Sequence, residues 1–156
     1  MADRPKTNTV EATIRLPPGA GGQEIAVGEG AVWINGNGGI TRIDATTHAT
    51  TLLKAVEPGG IAGIAVGEGA VWVAGLSTGL DRAPLWRIDP RGEFVIASTA
   101  VGAAPAGAGS IWVANSLDGS VSRVDPGTNT LARAIPVGAA PRDVAVGEGA
   151  IWVTAG

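Results

Sequence analysis

The sequence predicts an all-β fold, a partial β-propeller built from repeated four-stranded blades, and three observations lead to this prediction. The tryptophans Trp33, Trp72, Trp112 and Trp152 are spaced 39, 40 and 40 residues apart. A second phrase recurs between them, as TRIDATT, WRIDPRG and SRVDPGT. Each unit of about 40 residues holds four short extended segments separated by turn residues and shows no helical periodicity, a pattern typical of propeller blades.

The first two strands of a unit are predicted to form a hairpin around the tripeptide Gly-Glu-Gly, in which Ala108 replaces the glutamate in the third unit. An apolar run such as EIAV or DVAV precedes this tripeptide, and AVWI, AVWV or AIWV follows it. Glycines at both ends of the three-residue connection suit the positive φ angles of a tight hairpin. The second strand is apolar on both faces, which indicates a blade packed between two neighbours. We therefore expect its Trp and Val side chains in the core.

The third and fourth strands of each unit follow from alternation and turn residues. Runs such as ITRIDATT and SVSRVDPGT alternate apolar and polar residues, and Asp-Pro near the end of the second run indicates a turn. The final run, TLARAIPV in one unit, is also extended. Four-stranded blades are thus predicted over residues 22–57, 60–101 and 105–137.

The two ends of the chain predict incomplete blades. The segment KTNTVEATIRLPPG from Lys6 matches GTNTLARAIPVGAA from Gly127, so residues 8–17 are interpreted as the outer strand of a preceding blade. Residues 142–155 supply the first two strands of a further blade, and no third strand is available to join these pieces. We interpret residues 1–156 as one partial propeller domain, a fragment of a larger protein. Open strand edges and apolar blade faces would favour self-association.

Two units depart from the common spacing. Pro141 precedes Trp152 by 11 residues, whereas Pro105 precedes Trp112 by only 7, so the first strand before Ala106 is predicted to be short. The loop GLSTGLDRAP is longer than its equivalents. It is either a specificity loop or a neutral surface insertion.

Composition excludes several classes of function. Hydrophobic residues make up 45% of the chain and charged residues 16%, which indicates a buried core rather than disorder. The net charge is −3, and neither Lys nor Arg forms a run, so no nucleic-acid partner is predicted. There is no cysteine. No apolar run reaches the roughly 18 residues of a membrane helix, and MADRPKTNT lacks the apolar core of a signal peptide.

The repeat also accounts for the obvious chemical candidates. His48, the single histidine, aligns with Asn129 at a turn position where both residues tolerate a left-handed backbone. Glu29, Glu68 and Glu148 recur in the Gly-Glu-Gly turns and are expected to be solvated turn tips on separate blades. Each Arg-x-Asp pair is interpreted as charge pairing or turn capping. We predict no catalytic residue, no metal site and no cofactor.

Polar side chains at one end of the array form the candidate binding site. The loops that leave the fourth strand and the loops that join the second strand to the third are expected to meet there, at the propeller mouth. A small molecule or a protein of unknown identity would bind at this end. The polar residues in these loops are Gln23, Asn35, Asn37, Asp81, Arg82, Asn115, Asp118, Arg142 and Asp143.

The phrase Val-Gly-Glu-Gly-Ala-Val-Trp-Val, followed by Arg-Ile-Asp-Pro and Thr-Asn-Thr, resembles the YVTN-type propeller repeats related to streptogramin lyases such as virginiamycin B lyase. This resemblance implies a bacterial, extracytoplasmic or secreted protein with six or seven blades. Streptogramin lyases use histidine and a carboxylate near a divalent metal, and His48 alone offers no matching cluster. We therefore expect a non-catalytic binding, sensor or scaffold module; the alternative is part of a lyase-like enzyme whose catalytic blades lie outside this segment.

Overall fold

The computed structural model describes residues 10, 12–22, 24–36, 38–53, 61–75, 84–91, 95–100, 106–107, 109–116, 118–138 and 140–156. These residues form fourteen β-strands, and no helix occurs among them. The strands are β1 (Glu24–Gly28), β2 (Ala31–Gly36), β3 (Gly39–Asp44), β4 (Thr50–Leu53), β5 (Ile61–Gly67), β6 (Ala70–Gly75), β7 (Pro84–Ile88), β8 (Val95–Ala100), β9 (Ala106–Gly107), β10 (Ser110–Asn115), β11 (Ser120–Asp125), β12 (Thr130–Pro136), β13 (Pro141–Gly147) and β14 (Ala150–Ala155).

The strands pair into three four-stranded antiparallel sheets and one two-stranded sheet. Sequential strands are neighbours in every sheet: β1 to β4 form the first blade, β5 to β8 the second, β9 to β12 the third, and β13 with β14 a partial fourth blade. The first strands of successive sheets contact one another, β1 with β5, β5 with β9 and β9 with β13. The fold is therefore a partial β-propeller, as the repeat predicted, with the first strands innermost.

The hairpin between the first two strands is tighter than the sequence indicated. Gly28 pairs with Ala31 inside the ladder, so the connection contains two residues rather than three. Glu29 has a φ of 51° and Gly30 a φ of 72°, which is the combination that a type I′ turn requires. The same turn recurs in the second and fourth blades. The glutamate, and not the first glycine, therefore adopts the left-handed conformation.

The turn after the third strand agrees with the predicted alignment of His48 with Asn129. His48 has a φ of 60° and Asn129 a φ of 56°. In both turns the backbone N–H of this residue donates to the carbonyl of the aspartate four positions earlier, Asp44 or Asp125. This confirms His48 as a turn residue.

The core lies between the blades. Trp33 packs in one cluster with Val71 and Val73 of the next blade, and Trp72 packs in another with Ile111 and Val113. Trp33 and Trp72 are 0% and 1% exposed. Each tryptophan thus covers the residues that flank the tryptophan of the following blade. The prediction that these side chains belong to the core is confirmed for both.

Exposure increases where no neighbouring blade covers a face. Trp112 is half-buried against the partial fourth blade, and Trp152 is 61% exposed. At the other end of the array, Ile25 and Val27 on β1 are 66% and 73% exposed. The described part of the chain is therefore an open arc of blades with an apolar surface at each end.

The sequence predicts residues 8–17 as the outer strand of a preceding blade, and only part of this segment lies in the described residues. Residues 10 and 12–17 take no part in any sheet. A fourth strand pairs with the third strand of its own blade, and the fourth strand of the first blade is β4, so the prediction concerns a blade other than the four described sheets. The chain then turns at Pro17, whose carbonyl accepts the Ala20 N–H at 3.0 Å, and it packs Gly19 and Gly21 closely against the hairpin at Gly36 and Gly38.

The predicted short first strand of the third blade lies only partly in the described residues. The described part of strand β9 is Ala106–Gly107, whereas β5 and β13 each contain seven residues. Most of the long loop GLSTGLDRAP lies outside the described residues. Among the residues that are described, no helix has the length and apolar character needed to cross a membrane.

Candidate functional site

A tryptophan and an arginine face each other across the second and third strands of every complete blade. Trp33 pairs with Arg42, Trp72 with Arg87 and Trp112 with Arg123 in the strand registers. The guanidinium carbons lie 5.8, 5.5 and 5.8 Å from the ring centroids. These distances are within the range of cation–π interactions. The recurring arginines therefore stabilise the blades and are not available as a convergent binding set.

The aspartate two residues after each arginine caps the following turn. Asp44 Oδ1 accepts hydrogen bonds from the backbone N–H groups of Thr47 and Thr46 at 2.9 and 3.0 Å. These bonds, from Thr47 first, lower the pKa of Asp44 from 3.8 to about 2. Arg42 also pairs with this carboxylate at 3.2 Å. The predicted roles of charge pairing and turn capping are both present in the first blade.

The third blade repeats this arrangement. Asp125 Oδ1 accepts the backbone N–H groups of Thr128 at 3.0 Å and Gly127 at 2.7 Å. The bonds from Thr128 and Gly127 lower the pKa of Asp125 below its ordinary value. In the second blade, Asp89 Oδ1 accepts the N–H of Arg91 at 2.8 Å. The lowered pKa values thus have a structural origin in turns at the end of the array opposite the mouth.

Five of the nine candidate mouth residues lie in the described part of the chain. Gln23, Asn37, Asp81 and Arg82 lie outside it. Among the other five, Asp118, Arg142 and Asp143 are exposed, Asn115 is half-buried, and Asn35 is 1% exposed. Three of the candidate mouth residues in the described part of the chain are thus charged side chains exposed to solvent.

Asn35 lies inside strand β2 and holds the first blade together. Its Oδ1 accepts the Glu24 backbone N–H at 2.7 Å, and its Nδ2 donates to Glu24 Oε2 at 3.3 Å. The same Glu24 oxygen accepts the backbone N–H of Ile64, in the second blade, at 3.2 Å. Asn35 therefore positions a carboxylate that joins two blades, and its burial leaves no surface for a ligand.

Asn115 ends strand β10 and contacts two serines of the next strand. Its Nδ2 donates to Ser122 Oγ at 2.8 Å and to Ser120 Oγ at 3.1 Å. The backbone carbonyl of Asn115 accepts the backbone N–H of Asp118 at 3.2 Å, and this bond closes the loop that carries Asp118. The loop is therefore anchored at its base while the Asp118 side chain stays exposed.

Ser116 brings this loop to the start of the fourth sheet. Its hydroxyl donates to the carbonyl of Pro141, the first residue of β13. The ladder between β13 and β14 shifts register between Pro141 and Asp143, so Arg142 is the extra residue of a β-bulge. Bulges redirect a side chain away from the regular pleat. Asp118 lies two residues after Ser116, and Arg142 directly follows Pro141. Both residues are therefore close in sequence to the hydrogen bond that joins the third and fourth sheets.

Sequence reasoning missed Glu24 and Ser116 as the residues that join neighbouring blades at the mouth. For Glu24, one signal was available: it aligns with Asp143 at the start of the first strand, so a carboxylate recurs at this position. Ser116 gives no such signal, because its partner is a backbone carbonyl of another repeat.

The opposite end of the array offers no metal site among the residues described. No group of three or more His, Cys, Asp or Glu side chains is close enough there, or elsewhere in the described residues, to hold an ion. Glu29, Glu68 and Glu148 are exposed turn tips, as predicted. Glu68 has a further role, because its Oε1 accepts the Gly109 N–H of the next blade at 3.1 Å.

Comparison with solved structures supports the same architecture. Hydrazine synthase from Kuenenia stuttgartiensis is similar with a TM-score of 0.66 and 17% identity, over 88% of this chain and 42% of that one. A protein of unknown function from Bacteroides caccae is similar with a TM-score of 0.57 and 15% identity, over 85% of this chain and 52% of that one. No protein-family model and no curated protein matches the sequence.

The chain spans about half of the length of each of these two structures. At such low identity the likeness concerns the fold alone. It agrees with the all-β sheets of the structure and leaves the chemistry to be argued from the residues themselves. The comparisons therefore establish a propeller-type fold and assign no activity.

Proposed function

We propose that this chain is a non-catalytic β-propeller module that binds a small molecule or a protein at its mouth. The observation that carries this proposal is the group Asp118, Arg142 and Asp143. These exposed charges lie on two neighbouring sheets joined by the Ser116 hydrogen bond to Pro141. Charged groups held by rigid strands and a closed loop give a binding surface with a fixed geometry.

The positions of the carboxylates with lowered pKa values favour binding over catalysis at the mouth. The two lowered pKa values belong to turn caps at the far end of the array, where a depressed pKa keeps a carboxylate ionised. Catalytic carboxylates and histidines generally need a pKa near the working pH and a partner within hydrogen-bond reach. Asp143 Oδ1 instead accepts the N–H of its neighbour Val144 at 2.8 Å. The mouth thus supplies both acidic and basic side chains to a ligand.

A random-peptide phage library selected on the immobilised chain tests the proposed site. Peptides that bind the wild-type chain should bind the Arg142→Glu variant at least about tenfold more weakly, because a desolvated charge pair is replaced by repulsion. Arg133→Glu is the matched control, since Arg133 is also exposed but lies on the outer strand β12. Equal weakening by both variants, or by neither, would place binding elsewhere and contradict the proposal.

The second candidate is a part of a streptogramin lyase-like enzyme, and the repeat phrases Val-Gly-Glu-Gly-Ala-Val-Trp-Val and Arg-Ile-Asp-Pro support it. Incubation of the chain with a cyclic streptogramin B, with and without magnesium, separates the two candidates. We expect no ring opening. Turnover that disappears in the His48→Ala variant would favour the enzyme and overturn the non-catalytic proposal.

A further inference from the structure

The two open ends of the array carry the two halves of a contact that the chain makes internally. At the boundary between the first and second blades, a Cβ placed on Gly28 would lie 2.7 Å from Val66 Cγ1 and 3.2 Å from Val66 Cβ. In the repeat, Gly147 is equivalent to Gly28, and Val27 is equivalent to Val66. A Cβ at Gly147 would meet nothing within 4 Å among the described residues, and Val27 is 73% exposed.

The tryptophan face shows the same division. Trp33 is 0% exposed because the second blade covers it, and Ile64 on β5 packs against the cluster that contains it. Trp152 is the equivalent of Trp33 and is 61% exposed, while Ile25 is the equivalent of Ile64 and is 66% exposed. At one end of the array, an exposed tryptophan therefore lacks a neighbouring blade. At the other end, the residues that would pack on such a tryptophan are themselves exposed.

A polar contact accompanies the apolar one at the internal boundary. The Glu24 carboxylate accepts the Ile64 backbone N–H at 3.2 Å. Asp143 occupies the position of Glu24 in the fourth sheet, and Ile25 occupies that of Ile64 in the first. The Asp143 carboxylate at one end and the Ile25 backbone N–H at the other end are therefore the equivalents of the Glu24 and Ile64 groups that form a hydrogen bond inside the chain.

We infer that the Gly147 and Trp152 face of the fourth sheet binds the Ile25 and Val27 face of a second copy of this chain, head to tail. Each copy carries both faces, so two copies bury both pairs around one twofold axis. A head-to-tail contact closes into a ring when its rotation allows. Two copies contain eight sheets, twice the four of one chain, and propellers close with about four to eight blades.

Cysteine cross-linking tests the register of this contact directly, because the chain contains no cysteine of its own. The Cβ atoms at the internal equivalents would lie 3.2 Å apart, close to the 3.5–4.5 Å that a disulfide usually spans. Mild oxidation of a mixture of Gly147→Cys and Val27→Cys chains should give a disulfide-linked pair. Leu131→Cys is the control partner, since Leu131 is 44% exposed but lies on the outer strand β12.

A pair that forms with Val27→Cys and not with Leu131→Cys supports the inference. Absence of the Val27 pair, or equal linking of Leu131→Cys, overturns it. Light scattering over a concentration series provides the second measurement: the wild-type chain should approach twice the mass of one chain. A single-chain mass at every concentration, or continued growth beyond two chains, also overturns the closed pair.

The Trp152→Ser variant completes the test. Loss of a central tryptophan from an interface is expected to raise the dissociation constant by about 30-fold or more. Because Trp152 is largely exposed in the single chain, the variant should keep the wild-type circular dichroism spectrum. Leu131→Ser should keep the two-chain mass. A Trp152→Ser chain that associates as tightly as the wild type would contradict the inference.

Discussion

Gly28 and Gly147 occupy the same position in their repeats, yet the substitution Gly28→Ala should be far more harmful than Gly147→Ala. At Gly28 the new methyl group would lie 2.7 Å from Val66 Cγ1 and 3.2 Å from Val66 Cβ. The first distance matters most, because it is the shorter one and a β-branched valine has few alternative side-chain rotamers with which to relieve it. At Gly147 the methyl group would meet nothing within 4 Å in the described structure. The contrast comes from the second blade, which packs against the first.

The expected magnitude follows from this overlap. Overpacking by one methyl group generally costs about 1–3 kcal/mol. Replacing glycine by alanine also stabilises by about 0.4–1 kcal/mol through the unfolded state, and this contribution is common to both positions. The difference between the two variants therefore isolates the steric cost of about 1–3 kcal/mol. For a chain of this length that difference corresponds to about 2–12 °C in Tm.

Urea denaturation followed by tryptophan fluorescence and circular dichroism measures this difference. Both glycine substitutions should be made in the Trp152→Ser background, so that association between chains does not contribute. A Val66→Ala substitution should remove most of the cost of Gly28→Ala, because the contacting methyl groups are then absent. Equal stabilities of the two glycine variants, or a cost of Gly28→Ala that persists when it is combined with Val66→Ala, would refute the packing argument.

Three further predictions concern the turns and the tryptophans. The stability of the wild-type chain should fall as the pH drops from about 4 towards 2, because the pKa of Asp44 is about 2 in the folded chain and 3.8 in the unfolded chain. The urea midpoint of the Asp44→Asn variant should therefore change less over this pH range than that of the wild type. Glu148→Asn should stabilise the folded chain by up to about 1 kcal/mol, because Asn tolerates the left-handed turn better than Glu. Glu68→Asn should stabilise it less, because this variant also loses the hydrogen bond from the Gly109 N–H of the next blade. Thermal melts of the two variants measure the difference. Trp72→Phe should lower the free energy of unfolding in urea by about 1 kcal/mol more than Trp112→Phe does. The reason is that Trp72 Nε1 donates to the Gly67 carbonyl at 3.2 Å, whereas Trp112 Nε1 has no acceptor among the described residues.

The local structure followed from the sequence because it depends on contacts within one repeat. The period of the tryptophans located the blades, and the alignment of His48 with Asn129 located a left-handed turn residue that the structure contains. These features are set by strand alternation, turn chemistry and chain length, all of which act over a few residues.

The tertiary structure decided which polar groups are engaged and which are exposed. Asn35 was expected in a mouth loop, but it is buried in a strand because Glu24 and the second blade close over it. The N-terminal segment matches the sequence of an outer strand but pairs with no sheet in the described residues, since a strand needs a partner that its own sequence cannot supply. Sequence alone therefore determined the repeat and its turns. Only the packing of blade against blade decided that Gly28 is crowded while Gly147 is open, because that distinction depends on a neighbour about 40 residues away.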